Sequence, residues 1–282
     1  MRDFSFIFLI PTIYNVCLFE WSKKGMDYSM KIFVIKKKFI FLFLITLTIT
    51  LVFCYCFYIY NSPSLAVDLC TNSLNDITKS NEKVAYLTFD DGPTIKATAK
   101  ILDVLKEENV KATFFVVGKH VKENPDLVKR EYDEGHYIAN HGYNHNNKLL
   151  YSSMEHFKDE IVNTDKEISK AIGVENYCSH IFRFPNGFMS KKYSYQKKEA
   201  VEVLNSLDYS YIDWNCLNKD SERKYSNYQL MRNLKKSAKN KGTLVVLMHD
   251  TADVNKTYDI LKASIDYLRS EGYEFKNFYD TK

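Results

Sequence analysis

From Lys83 to the C-terminus, short apolar runs alternate with longer amphipathic stretches, and this alternation constrains the fold more than any other feature of the chain. Val84–Phe89, Ala112–Val117, Tyr137–Asn140, Ile181–Phe184, Tyr209–Trp214, Thr243–Met248 and Tyr273–Phe275 read as strands. Between them, Thr94–Glu108, Asn124–Glu134, Glu155–Ile172, Lys191–Leu207, Tyr228–Asn240 and Asn255–Ser270 carry helical periodicity. Gly135 and Gly173 stand where helices commonly end. Strands that alternate with helices imply a parallel sheet with crossover connections. So many units in roughly 200 residues predict an α/β fold, a distorted (β/α) barrel of seven or eight mostly parallel strands. In such a barrel the chemistry gathers at the C-terminal ends of the strands.

The N-terminal part predicts a membrane attachment. Phe39 to Tyr60 contains no charge, Gly or Pro, and its 22 residues match a hydrocarbon core of roughly 30 Å. Lys36, Lys37 and Lys38 precede it, so the chain beyond is expected to face outward. Tyr55, Tyr58 and Tyr60 fit an aromatic belt. A signal peptide cleaved near Ala66 is the rival reading, but its apolar core is usually shorter, about 7–15 residues. Upstream, Phe4 to Phe19 is apolar but short and carries Pro11 and Asn15, a second membrane-touching piece or the product of an early start, with Met30 as the alternative start. The expected organisation is a cytoplasmic leader over 1–38, a single-pass anchor over 39–60, a stalk over 61–82 and an extracytoplasmic domain over 83–282.

A net charge of +4 with interspersed signs gives no concentrated basic face, and no glycine-rich phosphate loop is present, so neither nucleic acid nor nucleotide is an expected partner. The six cysteines follow no zinc-finger spacing. Cys54 and Cys56 fall in the apolar span; Cys178 and Cys216 would lie outside the cell, as buried free thiols or as a disulfide.

Distinctive polar clusters follow the predicted strands. Thr88-Phe89-Asp90-Asp91-Gly92-Pro93 ends the first, and Asp-Gly with Gly-Pro is ordinary turn chemistry. Two adjacent carboxylates nevertheless repel unless a cation sits between them. His141-Gly142-Tyr143-Asn144-His145 follows the third strand, and two imidazoles at this spacing suit one metal, though a solvated loop would also carry them. Asp91 with His141 and His145 would leave coordination positions open for water and substrate. Arg183-Phe184-Pro185-Asn186-Gly187 ends the fourth strand, either as a plain turn or as an Arg that fixes a carboxylate's charge beside a directed backbone N–H. Asp213-Trp214 and Leu247-Met248-His249-Asp250 end two more strands, and Asp213 is placed to hold His249 in one tautomer and raise its pKa.

In these five clusters, taken in order, the chain closely resembles the polysaccharide deacetylases of carbohydrate esterase family 4, the NodB-homology domain, over about Lys83 to Tyr273. The resemblance implies a divalent metal, usually zinc and sometimes cobalt or nickel, held by Asp91, His141 and His145. It implies Asp90 as general base tuned by Arg183, His249 as general acid tuned by Asp213, and the backbone N–H of Asn186 as oxyanion donor. Trp214, Leu247 and Pro185 would wall the acetyl pocket. Gly142 departs from a usual Ser or Thr and Asn186 from a frequent Tyr, which puts a hydrogen bond near His141 and the shape of the cleft in doubt. The expected substrate is an acetylated cell-envelope polysaccharide, foremost N-acetylglucosamine of peptidoglycan. Chitin oligomers, N-acetylmuramic acid and acetylated xylan are alternatives, and a silent glycan-binding protein on the same fold is the reading from another class.

Overall fold

A computed structural model of the chain describes residues 5–11, 15–24, 27–36, 46, 48–52, 74, 76–222, 225–251 and 255–281. The chain divides into two units, Met1–Leu65 and Ala66–Lys282. In the first, β1 (Ser5–Pro11), β2 (Asn15–Lys24) and β3 (Asp27–Lys36) form an antiparallel meander. Of the apolar stretch from Phe4 to Phe19, residues 5–11 and 15–19 lie in the paired strands β1 and β2. Its Phe, Ile, Leu and Val residues favour extended backbone, and β1 ends at Pro11. Most of the expected anchor lies outside the described residues, and among those described no helix is long and apolar enough to cross a membrane.

The second unit is built on β4 (Val84–Asp90), which pairs with β10 (Leu244–His249) along one edge. Its other edge is shared by β5 (Thr113–Val116) at residues 88–90 and β11 (Glu274–Lys276) at residues 84–86. Beyond β5 come β6 (Tyr137–Asn140), β7 (Ile181–Phe182) and β8 (Ser210–Tyr211); beyond β10 comes β9 (Cys216–Leu217). Every pairing in this eight-stranded sheet is parallel. No pairing among the described residues joins β8 to β9, so the barrel is open there. Yet these two edge strands are consecutive in sequence, with only residues 212–215 between them. A chain that short spans at most about 18 Å. The opposite edges of the sheet must therefore curl towards each other, which makes a half-barrel of what would otherwise be a flat sheet.

Strand pleating decides which residues look inward. In β4, Ala85, Leu87 and Phe89 pack outward against helices, with Ile101, Leu102 and Leu105 of α1 (Thr98–Glu107), while Val84 and Tyr86 join an inner cluster with Phe115, Tyr137, Ile181 and Val245. The two-residue repeat carries the inner row on to Thr88 and Asp90, and in β10 from Val245 to Leu247 and His249. The remaining helices are α2 (Gly118–Glu123), α3 (Pro125–Asp133), α4 (Asn147–Leu150), α5 (Met154–Ile172), α6 (Ser194–Ser206), α7 (Asn227–Ala238) and α8 (Asn255–Ser270). Side chains set their limits: Ser153 accepts from His156 N at the start of α5, and Ser226 forms a capping box with Gln229 at the start of α7. Cys178 and Cys216 are free thiols, not a disulfide.

The entry to β10 is locked to the segment before β4, with Thr243 N donating to Ser80 O at 3.0 Å. A Cβ on Gly242 would lie 2.2 Å from Ser80 O and 2.5 Å from Asn81 Cα, both backbone atoms. Gly242→Ala is expected to cost about 1–3 kcal/mol, read as a lower urea midpoint at unchanged slope. An unchanged midpoint would show that this approach is not tight.

Candidate active site

Asp90 is the last residue of β4 and 2% exposed. Its Oδ1 accepts from Arg183 Nη1 at 2.8 Å, and the same nitrogen donates to Thr88 Oγ1 at 2.7 Å. Arg183 is fully buried, and its guanidinium lies 3.9 Å over the Phe115 ring and donates onward to Ile212 O and Asp213 O. With Oδ1 held, Asp90 keeps Oδ2 for chemistry, 3.8 Å from His141 Nε2.

Asp91 leaves the strand in left-handed backbone, at φ +77°. Its Oδ1 lies 3.3 Å from His141 Nε2 and 3.0 Å from His145 Nε2. The three ligand atoms all fall within 4.8 Å of one another. Although these distances are short, Asp91 Oδ1 is buried without a hydrogen-bond partner among the described residues. The oxygen and the two nitrogens thus face a common point rather than each other. His141 Nδ1 donates to Arg183 O at 2.7 Å, which fixes the tautomer that leaves Nε2 as a lone-pair donor. Burial works against ionisation of Asp91, but the two imidazoles override it and hold the carboxyl far below the usual carboxylate range. The facing carboxylate of Asp91 raises His145 in turn. An anionic oxygen and two imidazole nitrogens converging on one point fit a divalent ion such as zinc.

His249 ends β10 on the inner face. Its Nδ1 donates to Asp220 Oδ1 and its backbone N–H to Asp220 Oδ2, both at 2.8 Å, and Thr257 Oγ1 also donates to Oδ2. Burial would lower this imidazole, but the hydrogen bond to Asp220 and the charge of that carboxylate, with Asp90 and Asp91 adding, push it up to about 9. Asp213 is not the partner that the sequence pattern predicts. Its carboxylate accepts from Phe188 N at 2.8 Å and Met189 N at 3.1 Å. The reason lies in β9, a two-residue strand that the sequence pattern does not reveal. Leu217 is in register with Leu247, so Asp220, three residues on, arrives beside His249, while Asp213 lies on the Arg183 side of the opening.

The turn after β7 is held from two sides. Asp213 takes its N–H groups, and the buried Lys197 donates to Gly187 O and Ser190 Oγ, each at 2.5 Å. This leaves Asn186 at φ +65° with its amide clasped by Asn147 Nδ2 at 2.6 Å, and its backbone N–H without a partner among the described residues. A cavity of about 340 Å³ opens over Asp90, Asp91 and His249, with Asn186, Trp214 and Leu247 on its walls. Pro185 is buried and is not one of the residues that line the cavity. The structure therefore brings together the site residues that the sequence pattern predicts, except Asp213, which supports the wall, and Pro185, which does not line the cavity; Asp220 and Lys197 are additions.

An open parallel half-barrel with three converging side chains that could hold a metal ion, and two further ionisable groups at its C-terminal mouth, has the layout of an α/β-barrel enzyme. A family model described as Polysaccharide deacetylase matches residues 78–212. The chain is 31% identical over 201 residues to a protein named peptidoglycan-N-acetylmuramic acid deacetylase PdaA of Bacillus subtilis, covering 71% of this chain and 72% of that protein. It is 35% identical over 198 residues to one named peptidoglycan-N-acetylglucosamine deacetylase PgdA of Listeria monocytogenes, covering 70% of this chain but only 38% of the relative's length. Among solved structures, a Streptococcus mutans CE4 esterase superposes with a TM-score of 0.67 at 29% identity, covering 73% of this chain and 90% of that one. The chain belongs to the polysaccharide deacetylase family.

The Asp220 contact makes a pH prediction. His249 keeps its proton up to about pH 9 because folding raises its pKa. The stability contributed by this pair is full below the unfolded value of about 6.5 and is lost as pH rises through about 9. Asp220→Asn should move the basic limb of the pH–rate profile to lower pH. Asp213→Asn should lower kcat with that limb in place; a shift in the Asp213 variant instead would restore the pairing expected from sequence.

Proposed function

We propose that the protein hydrolyses N-acetyl groups on a cell-wall polysaccharide, most directly N-acetylglucosamine of peptidoglycan, and releases acetate. The observation that carries this reading is the convergence of Asp91, His141 and His145 beside a second carboxylate, Asp90, that stays clear of the triad because Arg183 holds it. The names of the relatives support the polymer, and they also keep N-acetylmuramic acid in play. The apolar span over 39–60 would anchor the chain and present the domain over 83–282 to the wall.

A divalent ion held by Asp91, His141 and His145, with zinc the best match to this donor set, would polarise the acetamide carbonyl and make a water acidic. Asp90 Oδ2 is placed to accept a proton from the attacking water as the water's oxygen bonds to the carbonyl carbon. The Asn186 N–H donates to the oxygen on which negative charge develops. His249, with Asp220 on Nδ1, gives its Nε2 proton to the leaving nitrogen, and the C–N bond breaks to yield acetate and a free amine. Trp214 and Leu247 exclude water around the acetyl methyl.

Acetate release by the full-length protein from N-acetylated glycans rich in glucosamine or muramic acid tests this, with chelator as the control. Release should stop with chelator and return with zinc. Asp90→Asn should lose about 10²–10⁴-fold in kcat while still binding metal. Glycan binding without acetate release, or an active Asp90→Asn variant, would overturn the proposal.

A further inference from the structure

The loop that joins His141 to His145 has no regular structure of its own, yet both imidazoles must reach one point. Gly142 sits at φ +82° and His145 at φ +51°, so the loop folds back on itself within three residues. Its carbonyls are taken by the start of α2: Gly118 N donates to Gly142 O at 3.0 Å and Lys119 N to Tyr143 O at 2.9 Å. Its three successive N–H groups end on side-chain oxygens. Asn140 Oδ1 takes Gly142 N at 2.9 Å, and Glu160 Oε2 takes Tyr143 N at 2.6 Å and Asn144 N at 2.9 Å. Glu160 Oε1 takes Asn144 Nδ2 at 2.7 Å.

Glu160 is 3% exposed in the middle of α5 and forms no ion pair with Lys or Arg among the described residues; His156 Nε2 is 3.3 Å from its Oε1. Burying a carboxylate this deeply for a generic packing position would be costly. Helix α5 itself is fixed to the end of β6, where the loop begins, by Asn140 Nδ2, which donates to Ile161 O at 3.0 Å. His145 is the looser of the two imidazoles, with a third of its side chain exposed. Position 142 is Gly, at φ +82°, so it offers the loop no side-chain hydroxyl.

We infer that Glu160 is a positioning residue for the ion site: by collecting the N–H groups of Tyr143 and Asn144 it sets the backbone from which His145 reaches Asp91. This rests on the metal-dependent reading above. The role is one of hydrogen-bond geometry rather than of charge, and the two make opposite demands on substitution. Gln keeps an oxygen at Oε2 for both backbone donors, and the Asn144 amide can turn to meet its NH₂. Asp keeps the charge but withdraws the acceptors by one methylene.

Zinc affinity of the full-length protein, measured by competition with a chromophoric chelator, decides between them, with cobalt(II) absorption reporting the geometry. Glu160→Ala and Glu160→Asp should bind about 10–100-fold more weakly, and Glu160→Gln close to wild type with an unaltered cobalt spectrum. Should Glu160→Ala fail to fold, the Gln and Asp pair still decides. Undiminished affinity in Glu160→Asp, or a loss in Glu160→Gln alone, would overturn the inference while leaving the proposed function intact. Wild-type protein that binds no divalent ion would overturn both.

Discussion

The ion pair between Arg183 and Asp90 is the contact on which the site depends. Both side chains are buried, at 0% and 3% exposure, and a charge placed so deep survives only with its partners in place. Removing one partner of such a pair costs about 3–5 kcal/mol, so the fold and the chemistry are tied to the same bond. Arg183 also reaches Thr88, Ile212 and Asp213, and it lies on Phe115. One side chain therefore joins the tips of β4, β5 and β7 to the chain that leaves β8. A lysine in its place would lack both the fork of donors and the flat face against the ring.

Why the arrangement needs two carboxylates in sequence follows from backbone direction. Asp90 completes the inner row of β4, whereas Asp91 sits in left-handed backbone one residue later. Consecutive acids thus acquire separate surroundings, one against a guanidinium and the other against two imidazoles. A third acid nearby makes the contrast clear. Asp250 is buried beside Thr98 with no cation against it among the described residues, and burial pushes its carboxyl up to about 7. Proximity in sequence does not set the charge state of these acids; the groups that face each one do.

Much of this was legible in the residues because apolar runs mark where strands end, and a polar residue at such an end has few places to go. Asp90, Asp91, His141, Arg183 and His249 could be placed on that ground alone, and their convergence followed from all strands being parallel. The strand β9 was not legible. Cys216 and Leu217 make too short a run to separate from the surrounding polar loop, and without them Asp220 has no register. The open edge of the barrel was hidden for the same reason, since it depends on the chain crossing from β8 to β9. In the N-terminal unit, the pairing of β1 with β2 was not legible, because a short apolar run suits a strand partner and a lipid surface alike.

Asp213 and Asp220 show how a barrel divides labour between neighbouring turns. A single carboxylate could not serve both places, because Asp213 spends both oxygens on Phe188 N and Met189 N, and Asp220 spends both on His249 and Thr257. The first stiffens the turn that aims the Asn186 N–H, with Lys197 bracing it from below. The second fixes a tautomer. Each acid belongs to a different edge of the sheet, and the curl of the half-barrel brings the two edges to opposite walls of one cavity. The donor to the developing oxyanion and the donor to the leaving nitrogen are thereby held by independent supports, so that strain at one need not displace the other.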